Sequence, residues 1–210
     1  MISKDQIIKN LDIMYPNPVC ELVYIKDYEL LIATVLSAHS TDKIVNKVTK
    51  VLFDKYDIFS LANTSLTEIE NIIRPIGSYT RKARFIKEIA KRLVDDFNGV
   101  VPNNGEYLES LPGVGHKTAN VVLSNLFHIP TIAVDTHVSR VAVRLFLAKK
   151  DDKLITIENN IRKSYPKEKW NRLNDQLVLF GRYTCKSVKP KCEECLFQNK
   201  CNLKEKHYQI

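Results

Sequence analysis

One short stretch decides how the middle of this chain folds: Leu111-Pro112-Gly113-Val114-Gly115-His116-Lys117-Thr118-Ala119. It separates two segments that are predicted to be helical. Two glycines one residue apart let the backbone turn sharply and approach another surface closely. They leave N–H groups free at the start of the following helix, and these amides and the helix dipole suit a phosphate. The stretch therefore predicts a helix-hairpin-helix that holds the DNA backbone without reading its sequence, through Gly113, Val114 and Gly115.

Lys117 lies in the first turn of the helix that follows these glycines. A positive charge there opposes the helix dipole, and nearby basic residues act in the same direction, so the neutral amine is favoured. A neutral lysine amine is a nucleophile that can form a Schiff base. The same position also suits a lysine that only contacts a phosphate, and both interpretations stand at this point.

Asp135 follows the apolar run Ile132-Ala133-Val134 and precedes a segment with helical spacing. Its position predicts an N-cap. A carboxylate that also faced the cavity near Lys117 would stabilise positive charge that develops on a sugar. Asp135 is therefore a candidate catalytic residue as well as a cap.

Four of the five cysteines form a C-x6-C-x2-C-x5-C cluster: Cys185, Cys192, Cys195 and Cys201. Disulfides are not expected, because nothing suggests export to an oxidising compartment. Crowded thiolates are typical metal ligands, and zinc usually shows two CxxC pairs or finger-spaced histidines. The uneven spacing favours a cubane iron–sulfur cluster, with zinc as the alternative.

The loop between the first two of these cysteines carries three lysines: Lys186, Lys189 and Lys191. A metal bound at both ends of the loop would make it a stiff basic finger. A redox carrier has no need of such a finger, whereas a DNA-binding protein does. We therefore count the three lysines as candidate DNA contacts.

The composition fits these motifs. The 210 residues are 44% hydrophobic and 27% charged, which is typical of a globular protein, and the formal net charge is +8. Such a surplus of positive charge is typical of nucleic-acid binders. Between Arg74 and Arg92 the sequence contains seven basic residues and a single acidic one, Glu88. An apolar stripe through residues 86–97 also allows a simple solvated helix, with the basic residues on its outer face.

No membrane segment or secretory signal is expected. The longest nearly unbroken apolar stretch is Leu30 to Leu36, well short of the ~18 residues that a membrane span requires. The first residues carry no apolar core of a signal peptide.

Periodicity predicts an all-α fold of about ten short helices. The first is capped by Ser3 with Gln6, and Thr80 is predicted to cap the basic helix, which ends at Asn98-Gly99. The β-branched run Thr131 to Val134 is too short to found a sheet, so we interpret it as an extended connector.

Together these residues resemble the endonuclease III family of bifunctional DNA glycosylase/AP lyases. The resemblance extends over essentially the whole chain and depends on four blocks: the hairpin 111–119, Val134-Asp135-Thr136-His137, Leu36-Ser37-Ala38 with Thr41-Asp42, and Gly181-Arg182-Tyr183-Thr184-Cys185. It implies a six-helix barrel lobe over 21–130 that carries the helix-hairpin-helix. A second lobe, formed by 1–20 plus 131–210, would hold a [4Fe-4S] cluster on the four cysteines, and DNA would bind across the cleft between the lobes.

The resemblance also implies a mechanism for base excision repair. A damaged pyrimidine flips out of double-stranded DNA, and Lys117 attacks C1′ of its sugar and displaces the base. The resulting Schiff base allows β-elimination, which nicks the strand 3′ to the lesion or abasic site. Asp135 would assist the attack and stabilise the cationic sugar. A monomer that acts in a bacterial cytoplasm is expected.

Two positions depart from the family pattern. His39 stands where the family usually has glutamine, which is thought to fill the gap left by the flipped nucleotide. Ser78 stands where a bulky apolar wedge is common. We hypothesise that this chain depends more on base pairs that are already weakened; alternatively, Tyr79 or His39 supplies the wedge.

Two other functions are weighed against this one. A monofunctional adenine-mismatch glycosylase lacks the hairpin lysine and carries an additional C-terminal domain, so Lys117 and the chain's end at Ile210 argue against it. A non-catalytic iron–sulfur protein that binds DNA would use the hairpin and the cysteines only. Covalent trapping on abasic-site DNA separates this class from a lyase.

Overall fold

The computed structural model describes residues Ile2–Leu203. No β-strand occurs in this range, so the predicted all-α fold class is confirmed. The chain divides into two compact units. We call Cys20–Phe127 the hairpin unit, and the described parts of Met1–Val19 and His128–Ile210 the cysteine unit. The divisions fall after Val19 and after Phe127, whereas the sequence led us to expect them after residues 20 and 130.

The hairpin unit contains seven helices: α2 (Asp27–Ser37), α3 (Asp42–Lys55), α4 (Ile58–Asn63), α5 (Leu66–Ile73), α6 (Tyr79–Phe97), α7 (Gly105–Ser110) and α8 (His116–Phe127). The sequence had led us to expect six. The additional helix is α4, which Asp57 caps by accepting a hydrogen bond from the amide of Ser60 at 2.8 Å. Its six residues are fewer than two turns, too short for periodicity to reveal it.

Helix α2 forms the centre of the hairpin unit. Its residues from Tyr28 to Leu36 are all buried, which explains why this segment is apolar on every side. Helix α6 packs against α4 and α5 and contributes a buried stripe of Ala83, Ile86, Ile89, Ala90 and Leu93. The helices therefore surround one continuous apolar core.

The residues that flank α6 at either end both have left-handed backbone conformations. Its C-terminus follows the prediction, because Asn98 has φ 51° and the amide of Gly99 donates to Leu93 O at 2.8 Å. The predicted N-cap, Thr80, is wrong. The helix begins two residues earlier than such a cap would place it, and Ser78 occupies the cap position with φ 58° and no side-chain capping bond.

The cysteine unit contains α1 (Lys4–Met14), α9 (Thr136–Arg144), α10 (Leu154–Ser164), a 3-10 turn (Lys167–Lys169) and α11 (Trp170–Tyr183). The predicted cap of α1 is confirmed, since Ser3 Oγ accepts from the amide of Gln6 at 3.2 Å. Helix α11 packs against both α1 and α9. Over Ile2–Leu203, no helix is both long enough and apolar enough to span a bilayer.

Candidate functional site

The predicted hairpin joins α7 to α8. Gly113 has φ 77°, in the left-handed region that favours glycine. A Cβ atom at this position would lie 2.5 Å from Cδ2 of Phe85, so the side chain below the turn leaves no room for one. The fold itself therefore requires a glycine at position 113.

Gly115 is a glycine for a different reason. It is exposed, and a Cβ atom there would meet no heavy atom within 4 Å. Its carbonyl accepts the first intrahelical bond of α8, from the amide of Ala119 at 3.0 Å. Its own conformation lies outside the left-handed region, so nothing in the described chain demands a glycine here. An open backbone at a helix N-terminus suits the close approach of a phosphate.

Val114, which we expected to contact DNA, is buried beneath the hairpin and stabilises its turn. Its side chain is 5% exposed and belongs to the core of the hairpin unit. Its amide donates to Leu111 O at 3.1 Å and so closes the turn. Val114 therefore holds the turn, and its contact with DNA stays a prediction.

Lys117 lies half-buried in the first turn of α8, directly after the hairpin. Its neighbour His116 is hydrogen-bonded through Nδ1 to Oε1 of Glu109 at 2.9 Å and through Nε2 to Asn120 at 3.2 Å. The contact with Glu109 connects α7 to α8 across the turn, and the contact with Asn120 lies within α8. The sequence did not reveal the pair, because both residue types are common on solvated helix faces.

Asp135 is the N-cap of α9, as predicted. Its Oδ1 accepts hydrogen bonds from the amides of His137 and Val138, each at 2.8 Å. Both capping bonds use the same oxygen, so the cap fixes the carboxylate without occupying Oδ2. A carboxylate held in this way can both begin a helix and face a reacting group.

The connector Thr131–Val134 places Asp135. All four of its residues are buried, and it pairs with no strand. Asn171 Oδ1 accepts from the amide of Thr131 at 2.9 Å, and Asn174 Oδ1 accepts from the amide of Ala133 at 2.8 Å. Two side chains on one face of α11 thus replace a neighbouring strand. Their Asn-x-x-Asn spacing was the available signal, and the sequence analysis missed it.

The four predicted cysteine ligands lie in the cysteine unit. Cys192 and Cys195 are buried, and Cys185 and Cys201 are partly buried against the same core. Burial, with a smaller contribution from charges on the other three cysteines, raises the pKa of the Cys195 thiol to about 11. The four thiols are therefore close enough to influence one another.

Two arginine side chains hold Cys185, the first of these cysteines. Arg144 Nη1 donates to Cys185 Sγ at 3.1 Å and to Lys186 O at 2.8 Å, while Arg140 Nε donates to Cys185 O at 3.0 Å. Within Ile2–Leu203, no three His, Cys, Asp or Glu side chains are placed to share a single ion. A cubane cluster binds each of four thiolates through a different iron. Four thiols, of which Cys185 accepts a hydrogen bond from a guanidinium, fit that donor set.

The basic finger has one paired lysine. The amide of Lys191 donates to Thr184 O at 2.9 Å and closes the loop at its base. Its ammonium lies 3.3 Å from Glu194 Oε2, so part of its charge is already balanced. Lys189 is exposed with φ 47°, and Lys186 is partly buried. Of the three predicted contacts, Lys189 presents its charge most openly.

His39 and Ser78 are exposed, and both are left-handed, with φ 57° and 58°. Such conformations are uncommon for residues other than glycine and often occur at functional sites. The loops that carry them are neighbours, because a Cβ atom on Gly77 would lie 3.9 Å from His39 O. The structure thus brings together the two residues at which the chain departs from the family pattern.

The sequence had led us to expect every basic residue of α6 on the outer face of the helix. The structure places one of them inside. Lys82 is 5% exposed and lies inside the hairpin unit. Arg92 donates from Nη1 to Ser110 O at 2.9 Å, which joins α6 to α7. Arg81 and Arg84 remain exposed, with no carboxylate at ion-pair distance among the described residues. Arg81 lies 6.0 Å from the ring centroid of Phe85, the side chain beneath the hairpin.

Comparisons with known proteins agree with these features. Residues 32–167 match the HhH-GPD superfamily of base excision DNA repair proteins. Endonuclease III of Bacillus subtilis (strain 168) is 43% identical over 192 residues, which are 90% of this chain and 86% of the relative. Endonuclease III of Escherichia coli (strain K12) is 40% identical over 192 residues, 91% of this chain and 90% of the relative.

A solved structure of a trapped endonuclease III–DNA covalent intermediate superimposes with a TM-score of 0.90 and 46% identity, over 96% of this chain and 97% of the other. A non-covalent endonuclease III–DNA complex gives a TM-score of 0.91 and 45% identity over 96% of both chains. With matches of this extent in sequence and in fold, the chain belongs to the endonuclease III family of the HhH-GPD superfamily.

Proposed function

We propose that this chain is a DNA glycosylase and AP lyase of base excision repair that removes damaged pyrimidines from double-stranded DNA and nicks the strand 3′ to the abasic site. The observation that carries the proposal is the hairpin: a glycine with an open backbone and a lysine two residues later lie at the same helix N-terminus. One holds the DNA backbone while the other reaches its sugar. A monomer in a bacterial cytoplasm, where the chromosome lies, suits this activity.

Lys117 is the nucleophile in this proposal. Its amine attacks C1′, the bond from C1′ to the base breaks, and the base leaves with a proton. The sugar ring opens to a Schiff base, loss of a C2′ proton breaks the bond from C3′ to oxygen, and water then frees the lysine. Asp135, fixed by its cap, stabilises the positive charge on the sugar. The covalent endonuclease III–DNA intermediate supports a covalent route.

The remaining site residues bind DNA. The amide of Gly115 and the turn at Gly113 hold a phosphate, and Lys186, Lys189 and Lys191 contact the backbone from the cysteine unit. His39 and Ser78 act at the opened base pair. The hairpin unit is thus proposed as the barrel lobe, and the cysteine unit as the cluster lobe.

A [4Fe-4S] cluster on Cys185, Cys192, Cys195 and Cys201 is the cofactor that we propose. When bound, it would cross-link the end of the chain and hold the basic finger by both ends. The buried thiols and the Arg144 contact to Cys185 Sγ support this assignment. Visible charge-transfer absorbance with stoichiometric iron and sulfide is expected, and a colourless protein that contains zinc would contradict it.

Borohydride trapping tests the mechanism. The wild-type protein should become covalently attached to abasic-site DNA when the Schiff base is reduced, and Lys117→Ala should not. Lys9→Ala, which removes an exposed lysine of α1, is the matched control and should trap like the wild type. Absence of trapping with the wild type, or full trapping with Lys117→Ala, would overturn the proposed role of Lys117.

A further inference from the structure

Lys82 is a buried cation within a helix of exposed ones. Its side chain is 5% exposed, and its ammonium donates to Leu36 O at 2.9 Å and to Ala38 O at 2.5 Å. These carbonyls lie at the C-terminus of α2, where a helix lacks internal donors and carries partial negative charge. No carboxylate within Ile2–Leu203 forms an ion pair with Lys82. Burial and the charge of Arg81 both lower the pKa of Lys82.

Lys82 contacts the backbone beside one exposed left-handed residue, His39, and the carbonyl of the other, Ser78. Its side chain holds Ala38 O, in the residue directly before His39. Its own amide donates to Ser78 O at 3.1 Å, in the first turn of α6. The amide bond belongs to the helix, whereas the two side-chain bonds tie the end of α2, directly before His39, to the helix that begins directly after Ser78. The loops already adjoin, since a Cβ on Gly77 would lie 3.9 Å from His39 O.

We infer that Lys82 is a positioning residue that sets the placement of His39 relative to Ser78, and thereby the ability of the protein to open an intact base pair. The inference rests on the proposed function and assigns to it a residue that touches neither DNA nor the reacting atoms. A displaced loop would leave Lys117 and Asp135 unchanged. The loss of Lys82 should therefore slow base release more when the base pair that has to be opened is stronger.

The test compares Lys82→Met with Lys91→Met, a matched change at an exposed lysine of the same helix. Both proteins are assayed in single turnover on thymine glycol, an oxidised pyrimidine, in a fully paired duplex and opposite a mismatched base. For Lys82→Met, the ratio of the mismatched to the paired rate should rise about tenfold over the wild type, equivalent to ~1.4 kcal/mol. For Lys91→Met the ratio should stay at the wild-type value.

A purely structural role predicts another result. If loss of Lys82 only reduces the amount of folded protein, both rates fall by the same factor and the ratio does not move, which would overturn the inference. Should Lys82→Met fail to fold, Lys82→Gln serves instead, because its shorter amide keeps a polar group in the buried site but cannot reach both carbonyls. The same change in ratio is expected.

A double-mutant cycle identifies the route of the effect. His39→Gly removes the side chain and tolerates the left-handed backbone. In that background Lys82→Met should no longer change the ratio, and an undiminished change would contradict action through His39. If the wild type releases no base from either duplex, the proposed function fails and the inference with it. An active wild type with an unchanged Lys82→Met ratio removes the inference alone.

Discussion

Replacing Gly115 by alanine should weaken DNA binding and leave the fold intact. The new Cβ would meet no heavy atom of the chain within 4 Å. Alanine is a poorer N-cap than glycine by under about 1 kcal/mol, and the lower entropy of the unfolded chain offsets ~0.4–1 kcal/mol of that cost. We therefore expect the free energy of unfolding to change by less than about 1 kcal/mol, or a melting temperature shift of a few degrees.

The loss in binding is larger. A methyl group on the open backbone keeps a phosphate from the amides of the hairpin, and a hydrogen bond to a charged group contributes about 1.5–3 kcal/mol. The dissociation constant should rise about 10- to 100-fold. Fluorescence anisotropy with a duplex that carries a non-cleavable abasic analogue, at one fixed salt concentration, measures it.

Gly113→Ala is the matched comparison. Its φ of 77° costs an alanine about 1–2 kcal/mol, and its Cβ would lie 2.5 Å from Phe85. This variant should lose stability and binding together. If Gly115→Ala binds DNA like the wild type, or loses as much stability as Gly113→Ala, the assignment of the open backbone at Gly115 to a phosphate is refuted.

Two further predictions concern α11. Asn174→Leu leaves the buried amide of Ala133 without its acceptor, so the free energy of unfolding, measured in urea, should fall by about 1–3 kcal/mol. Base release should also slow, because the connector that contains Ala133 places Asp135. An unaltered rate of base release would contradict that coupling. Burial raises the pKa of Asp175 to about 6, from 3.8. The folded state thus binds the Asp175 proton more tightly than the unfolded state does, and the ionised carboxylate destabilises the fold. This destabilisation is absent below pH ~4 and complete above pH ~6. Asp175→Asn should stabilise the protein at pH 7 and not at pH 3.5; equal effects in urea denaturation at both values would refute this.

The sequence predicted best the features that depend on neighbouring residues. Ser3 and Asp135 cap their helices through amides two or three positions away, and Asn98-Gly99 ends α6 through its last turn. The glycine hairpin belongs to the same group. Such signals occupy a few consecutive residues, so they are visible in the sequence before any packing is known.

The features that the sequence analysis missed depend on distant partners. Lys82 reaches carbonyls 44 and 46 positions away, and Asn171 and Asn174 bind amides 40 and 41 positions away. A lysine at helical spacing among other basic residues gives no sign that its side chain points inward. The burial of Val114 was missed for the same reason, because it depends on the core below the turn. Charge and periodicity place a residue on a helix but do not identify its partner.

This distinction changes what the net charge of +8 means for DNA binding. Several cations already serve the fold: Lys82 binds α2, Arg92 binds the end of α7, and Arg144 binds the segment that begins at Cys185. The salt dependence of DNA affinity counts only cations that neutralise phosphates. Its slope should therefore reflect exposed groups such as Arg84 and Lys189 rather than the total surplus. A basic composition first suggested a nucleic-acid partner, but the hydrogen bonds decide which charges are available to it.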